Sequence, residues 1–299
     1  LGIKDFAGNI KALNNQPLDH SDMEDKARRF PYLHFFLFLI TLFSTLVAGA
    51  LQQGVDLIEN PWLIWRGMPF SFTLLMILGA HEFGHYFMSR KHDIDVTFPY
   101  FIPAPSFIGT FGAFIKMKSP IMDRRILLDV GAAGPLAGMC VTVPVLLIGL
   151  SLSEIKYETV ETGVSLGSSI FFSGMNWIVH GFLPDDVNLV LHPIAFSGWI
   201  GLLVTCLNLL PVGQLDGGHV AYAVIGQKQR IVAKMIIAAL VIIGITGWSG
   251  WLLWAVILII MGLNHPPVVY DWIPLDRKRK IIGWLTLLVF AMTFTPVPF

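Results

Sequence analysis

The chain is 299 residues long, 55% hydrophobic and only 13% charged, with a mean hydropathy of +0.68. A water-soluble globule of ordinary composition does not carry that much apolar surface, so the composition predicts a membrane protein. Twenty basic side chains balance twenty acidic ones, which excludes the basic excess that grips a nucleic acid and the acidic run of a disordered tail. The two cysteines, Cys140 and Cys206, lie in apolar stretches and exclude a disulfide framework or a cysteine-based zinc module.

Residues 1–31 form a polar segment that opens at Leu1 with no short apolar signal segment before the first span, as a trimmed chain or a fragment would. Apolar runs near the ~20 residues needed to cross a bilayer follow at about 32–52, 68–88, 126–150, 192–211, 231–246, 250–264 and 281–297. Of the 20 lysines and arginines, 18 fall on one set of alternate connections, and only Arg66 and Lys156 on the other. That bias puts the amino end in the cytoplasm. It also divides the nearly uncharged stretch 235–270 into two short spans hinged at Gly247-Trp248-Ser249-Gly250, because one long helix would export the basic run 277–280.

The connection 91–125 ends in alternating apolar and polar residues from Gly109 to Lys118, a strand pattern. It is too apolar for a free loop, so a hairpin dipping to membrane depth is expected. The outer connection, about 151–191, sets Glu154, Glu158, Glu161, Asp185 and Asp186 around an apolar patch at 170–179, the pattern of a flap lying on the bilayer. The expected fold is an all-α polytopic membrane protein of about seven transmembrane helices, with a membrane-associated β-hairpin loop after the second.

The second span carries His81-Glu82-Phe83-Gly84-His85. A carboxylate in an apolar helix costs about 2.5–3.5 kcal/mol on insertion scales. The spacing offers compensation: residues i and i+4 share a helix face, so two imidazoles can meet one ion, and Glu82 can reach a metal-bound water without ligating the metal. Zinc needs a third protein ligand. Asp216 is the best candidate, since it follows an uncharged span and sits among Pro211, Gly213, Gly217 and Gly218, residues that break a helix and admit close backbone approach. The alternating topology brings it to the cytoplasmic level of His81 and His85. Asn208 faces the same level, either to donate to an oxyanion or to pack between helices. Gly131, Gly134 and Gly138 read as a small-residue helix contact, and His265 as part of a helix stop. His20, His34, His92, His180, His192 and His219 receive no role.

The pair of motifs, His81 to His85 and then Asn208 to Gly218, resembles the site-2 protease family of intramembrane zinc metalloproteases. The glycine-containing strand at Gly109, Gly112 and Phe114 and the small residues Gly131 to Gly138 are similar to further features of that family. Gly213 departs from it, because many members carry a second proline there. The outer connection leaves no room for a PDZ-sized insertion, so the resemblance is to a compact member. It implies one zinc per chain on His81, His85 and Asp216, with Glu82 as general base. The substrate would be a transmembrane protein in the lipid bilayer, held extended by the strand-like loop at Gly109, Gly112 and Phe114, with Asn208 as a further substrate contact. The implied divisions are a cytoplasmic segment 1–31, a first helix and outer loop 32–67, a metalloprotease core 68–220 and C-terminal helices 221–299. A bacterial or archaeal plasma membrane is favoured over an organelle membrane. The rival readings are a membrane metal transporter or sensor, and an inactive family member that binds helices as a scaffold; the oligomeric state has no sequence signal.

Overall fold

A computed structural model describes residues 31–156, 165–184 and 187–299. The expected cytoplasmic segment, and Glu158, Glu161, Asp185 and Asp186 of the outer connection, lie outside the described residues. In chain order come α1 (Tyr32–Gln52), a 3-10 helix (Pro61–Gly67), α2 (Met68–Lys91), β1 (Tyr100–Pro103), β2 (Thr110–Phe114), α3 (Arg124–Ser151), β3 (Glu154–Lys156) and α4 (Ile170–His180). There follow β4 (Asn188–Val190), α5 (Pro193–Asn208), α6 (Asp216–Ile225), a short 3-10 turn, α7 (Gln229–Thr246), α8 (Gly250–Met261) and α9 (Arg277–Thr293).

Every run expected to span is largely helical, but not every one has the length of a membrane span by itself. Among the described residues four helical stretches are long and apolar enough to cross a membrane: Tyr32–Gln52, Pro61–Lys91, Arg124–Ser151 and Asp216–Thr246. The reason is length. At 1.5 Å per residue, the 16 residues of α5 and the 12 of α8 fall short of a ~30 Å hydrocarbon core, and α9 spends its first turn on four cations. The expected hinge is present, with α7 ending at Thr246 and α8 beginning at Gly250.

Local chemistry sets the helix starts. Asp123 caps α3 by accepting from the backbone N–H groups of Arg125 and Ile126 at 2.8 and 2.9 Å, and Asp276 caps α9 through Arg279 N–H at 3.0 Å. Proline occupies the first turn of α2 and of α5, where its missing N–H costs nothing. Gly84 lets α2, which carries His81, Glu82 and His85, lie directly against Ala133 and Ala137 of α3. Leu74, Phe70, Trp199 and Ile200 join α2 to α5 in one buried cluster, and Leu127, Leu128, Val220 and Ala223 join α3 to α6 in another.

The strands pair antiparallel, Tyr100 with Phe114 and Ile102 with Gly112, and the register slips between Ile102 and Pro103. This ribbon packs on α1 and reaches α2. The outer connection contributes α4, none of whose residues is buried, and the short β3–β4 pair.

Candidate metal centre

His81 and His85 stand one turn apart on α2, and both are buried. Asp216 is the first residue of α6. Nε2 of His81 lies 3.1 Å from Oδ2 of Asp216, Nε2 of His85 lies 3.2 Å from the same oxygen, and the two ring nitrogens are 3.2 Å apart. The opposite nitrogen of His85, Nδ1, is 2.9 Å from the Val130 carbonyl. A carbonyl only accepts, so Nδ1 carries the ring proton of neutral His85 and Nε2 presents a lone pair. Two imidazole nitrogens and a carboxylate oxygen so close together share one positive charge, either a proton or a metal ion. Tetrahedral zinc holds nitrogen and oxygen ligands about 3.3 Å from one another, so the donor set fits that ion in chemistry and in spacing. Within the described residues these three side chains are the one group of its kind able to hold a metal ion.

The turn between α5 and α6 brings Asp216 to the histidines. Gly213 there has φ +55°, a left-handed conformation closed to proline. Pro211 and Gly213 end α5 as the sequence suggests. Gly217 and Gly218 instead lie inside α6 and let its first turn press against the backbone of Leu209, Val212 and Gly213.

Glu82 is 6% exposed and borders two cavities. The first, about 230 Å³, holds the three clustered side chains together with Phe114, Asn208 and His219. The second, about 210 Å³, runs between α2, α5 and the β ribbon and is lined by Leu78, Thr110, Gly112, Leu203 and Trp254 as well as His81 and Glu82. Asn208, Gly112 and Phe114 line these cavities, with Asn208 Nδ2 3.4 Å from His81 Nε2. Gly109 does not; it is packed against Ser44 and Thr45 of α1, and its carbonyl accepts from Ser44 Oγ at 2.6 Å.

Two contacts of the site have no signal in the sequence. The glycine face of α3 is the wall behind the imidazoles: a Cβ at Gly134 would run into the His85 ring, and one at Gly138 would lie 3.3 Å from His81 Cβ. His219 and His265 also meet, with His219 Nδ1 2.7 Å from His265 Nε2. Burial holds the His265 imidazole below the usual histidine range. The repeat Gly131, Gly134, Gly138 signalled close packing but not its partner, and nothing in the sequence links residues 219 and 265.

A family model described as Peptidase family M50 matches residues 69–246, more than half of the chain. The chain is 29% identical over 266 residues to "Probable zinc metalloprotease EGY2, chloroplastic" of Arabidopsis thaliana, covering 87% of this chain and 47% of that protein. It is 28% identical over 237 residues to the EGY1 protein of the same plant, similarly named, covering 77% and 43%. To "Probable zinc metallopeptidase EGY3, chloroplastic", also from that plant, it is 23% identical over 305 residues, covering 94% and 52%. The chain therefore spans about half the length of the curated relatives it matches. With a two-histidine, one-aspartate cluster on the matched helices, the chain belongs to peptidase family M50, the site-2 protease family.

Proposed function

We propose that the chain is an intramembrane zinc metalloprotease that hydrolyses a peptide bond in or beside a transmembrane segment of its substrate. The observation that carries this reading is the triangle of His81, His85 and Asp216 acceptor atoms with buried Glu82 next in the chain. Those three side chains would hold one zinc per chain, the core extending from residue 68 to 220. Bound there, zinc supplies Lewis acidity, which polarises a scissile carbonyl and acidifies water. Glu82 borders both cavities, so its carboxylate can take a proton from attacking water in one and pass it to the leaving amine of a peptide lying in the other. Asn208, beside His81, is positioned to donate to the developing oxyanion.

The β ribbon pairs only with itself among the described residues. A substrate helix unwound at membrane depth exposes backbone groups that need partners, and the outer edge of β2, beside Gly112 and Phe114, supplies them by strand addition. Residues 70–79 of α2 carry no ionisable group, which favours hydrolysis over a transport path needing ligands toward both faces. The charge bias supports a cytoplasmic active-site end. The chloroplastic relatives favour an organelle membrane over the bacterial or archaeal one expected from sequence.

The test is elemental analysis of purified wild type, Asp216→Ala and Glu82→Ala in parallel, joined to cleavage of a panel of transmembrane peptides. One zinc in wild type and Glu82→Ala, little in Asp216→Ala, and cleavage by wild type alone are expected. Near-wild-type cleavage by Glu82→Ala would remove it as the base, and absence of zinc from folded wild type would sink the reading altogether.

A further inference from the structure

The first cavity contains a third imidazole with no part in the metal cluster. His219 sits one turn beyond Asp216 on α6 and lines the cavity with Glu82 and Asp216. Its Nδ1 meets His265 Nε2 at 2.7 Å, the rings nearly perpendicular at 79°. His265 in turn is fixed on every side. Its ring stacks on Tyr222 at 4.6 Å, its backbone N–H donates to Gln229 Oε1 at 3.3 Å, and its Nδ1 faces the Pro266 carbonyl. Gln229 is itself anchored through Nε2 to the carbonyls of Pro211 and Leu263.

These contacts determine where the protons are. The Pro266 carbonyl can only accept, so neutral His265 carries its proton on Nδ1 and leaves Nε2 as a lone pair. His219 must then donate from Nδ1, and its own Nε2 is an acceptor. That nitrogen has no hydrogen-bond partner among the described residues and is not among their enclosed, unpartnered atoms, so it opens onto the cavity. His81, His85 and Asp216 direct their acceptor atoms at one another, which leaves His219 Nε2 as the imidazole acceptor available to something else in the space.

We infer that His219 is a substrate-positioning contact: its Nε2 accepts a hydrogen bond from a backbone N–H of the peptide beside the scissile bond, and His265 holds it in the accepting tautomer. The chemistry matches the occupant, because a peptide unwound away from water carries N–H groups that are costly to leave unpaired. The inference rests on the proposed protease site and deepens it by adding a residue that selects for backbone.

Two probes separate the inference from its foundation. Acetohydroxamic acid can engage a metal but has no peptide chain, whereas a peptidyl hydroxamate adds backbone N–H groups. Binding of both is measured on the full chain in detergent, alongside zinc content. Wild type should hold zinc and bind both. His219→Ala should keep its zinc and its acetohydroxamate affinity but bind the peptidyl hydroxamate about tenfold more weakly. His219→Gln, which retains an acceptor, should recover part of that loss. His265→Phe keeps a ring on Tyr222 but frees the His219 tautomer, and should weaken the peptidyl probe alone. Equal loss for both probes, unchanged peptidyl binding, or loss of zinc with His219→Ala or His219→Gln would overturn the inference. Failure of wild type to hold zinc or bind acetohydroxamate would instead remove the proposed site beneath it.

Discussion

Gly134 shows how narrow the tolerance at the centre is. His85 donates from Nδ1 to Val130 on one side and turns Nε2 to Asp216 on the other, so its ring has two fixed ends and no alternative rotamer that keeps both. The space it fills is the space a side chain at Gly134 would occupy. Gly134→Ala therefore forces either the ring or α3 to move, and metal ligation tolerates displacements of only a few tenths of an ångström. The expected outcome is a loss of zinc comparable with that of Asp216→Ala, read by elemental analysis of the folded protein. Gly138→Ala, whose Cβ would lie a tight 3.3 Å from His81 Cβ and ask only a few tenths of an ångström of its neighbour, should lose much less. Equal retention of zinc by both variants would show that the glycine face is packing alone. The imidazole pair was legible in sequence because i, i+4 spacing is a local property. The wall behind it was not, since a glycine repeat records that something approaches closely and not what approaches.

At the scale of elements, the β ribbon and the α5–α6 turn have different duties, and substitutions should separate them. The turn sets Asp216, so changes there should act on metal. The ribbon lines the cavities without contributing to the cluster, so changes there should act on cleavage. Gly112 has φ +99° with open space where a side chain would stand. Thr110 Oγ1 accepts from its N–H at 3.0 Å and donates to the Ile102 carbonyl at 2.7 Å. A branched residue at that φ costs about 1–2 kcal/mol in backbone strain and is expected to pull the edge of β2 out of line. Gly112→Val should slow cleavage of a transmembrane peptide about tenfold while zinc content stays at the wild-type value; zinc lost in step with activity would contradict that division. The strand pattern was readable in the alternation before Lys118, and the hinge at 247–250 from its glycines and the charge bias. The start of α6 was not, because Gly217 and Gly218 signal a break in a single sequence and become helical only when Leu209 and Gly213 are packed against them.

Over the whole molecule, the distribution of charge decides what holds the last helix to the core. In the sequence the charge run 277–280 is a topological marker, and periodicity offers no partner for it. Arg279 forms a two-point ion pair with Asp129 of α3, Nε to Oδ1 at 2.8 Å and Nη2 to Oδ2 at 2.6 Å, and His92 at the end of α2 reaches the same carboxylate at 3.0 Å. Asp129 is largely enclosed, its side chain 15% exposed, so this is the strong, geometrically defined kind of pair rather than a solvated surface contact. It ties three helices together one residue before Val130, whose carbonyl orients His85. Asp276 strengthens the same corner: the backbone N–H and the side chain of Arg279 hold its carboxyl below the usual carboxylate range. A depressed carboxylate contributes stability above its unfolded value, and that contribution is lost as pH falls through the folded one, so the α9 cap should be intact at neutral pH and fail only in acid. The pair itself is tested by a double-mutant cycle of Asp129→Asn and Arg279→Gln, read by thermal unfolding in detergent at neutral pH. Each single variant should cost about 1.5–3 kcal/mol, the range for hydrogen bonds to charged groups, and the double variant should cost markedly less than their sum. Additive losses would mean that α9 is held by apolar packing against α3 and α6, with the ion pair a bystander.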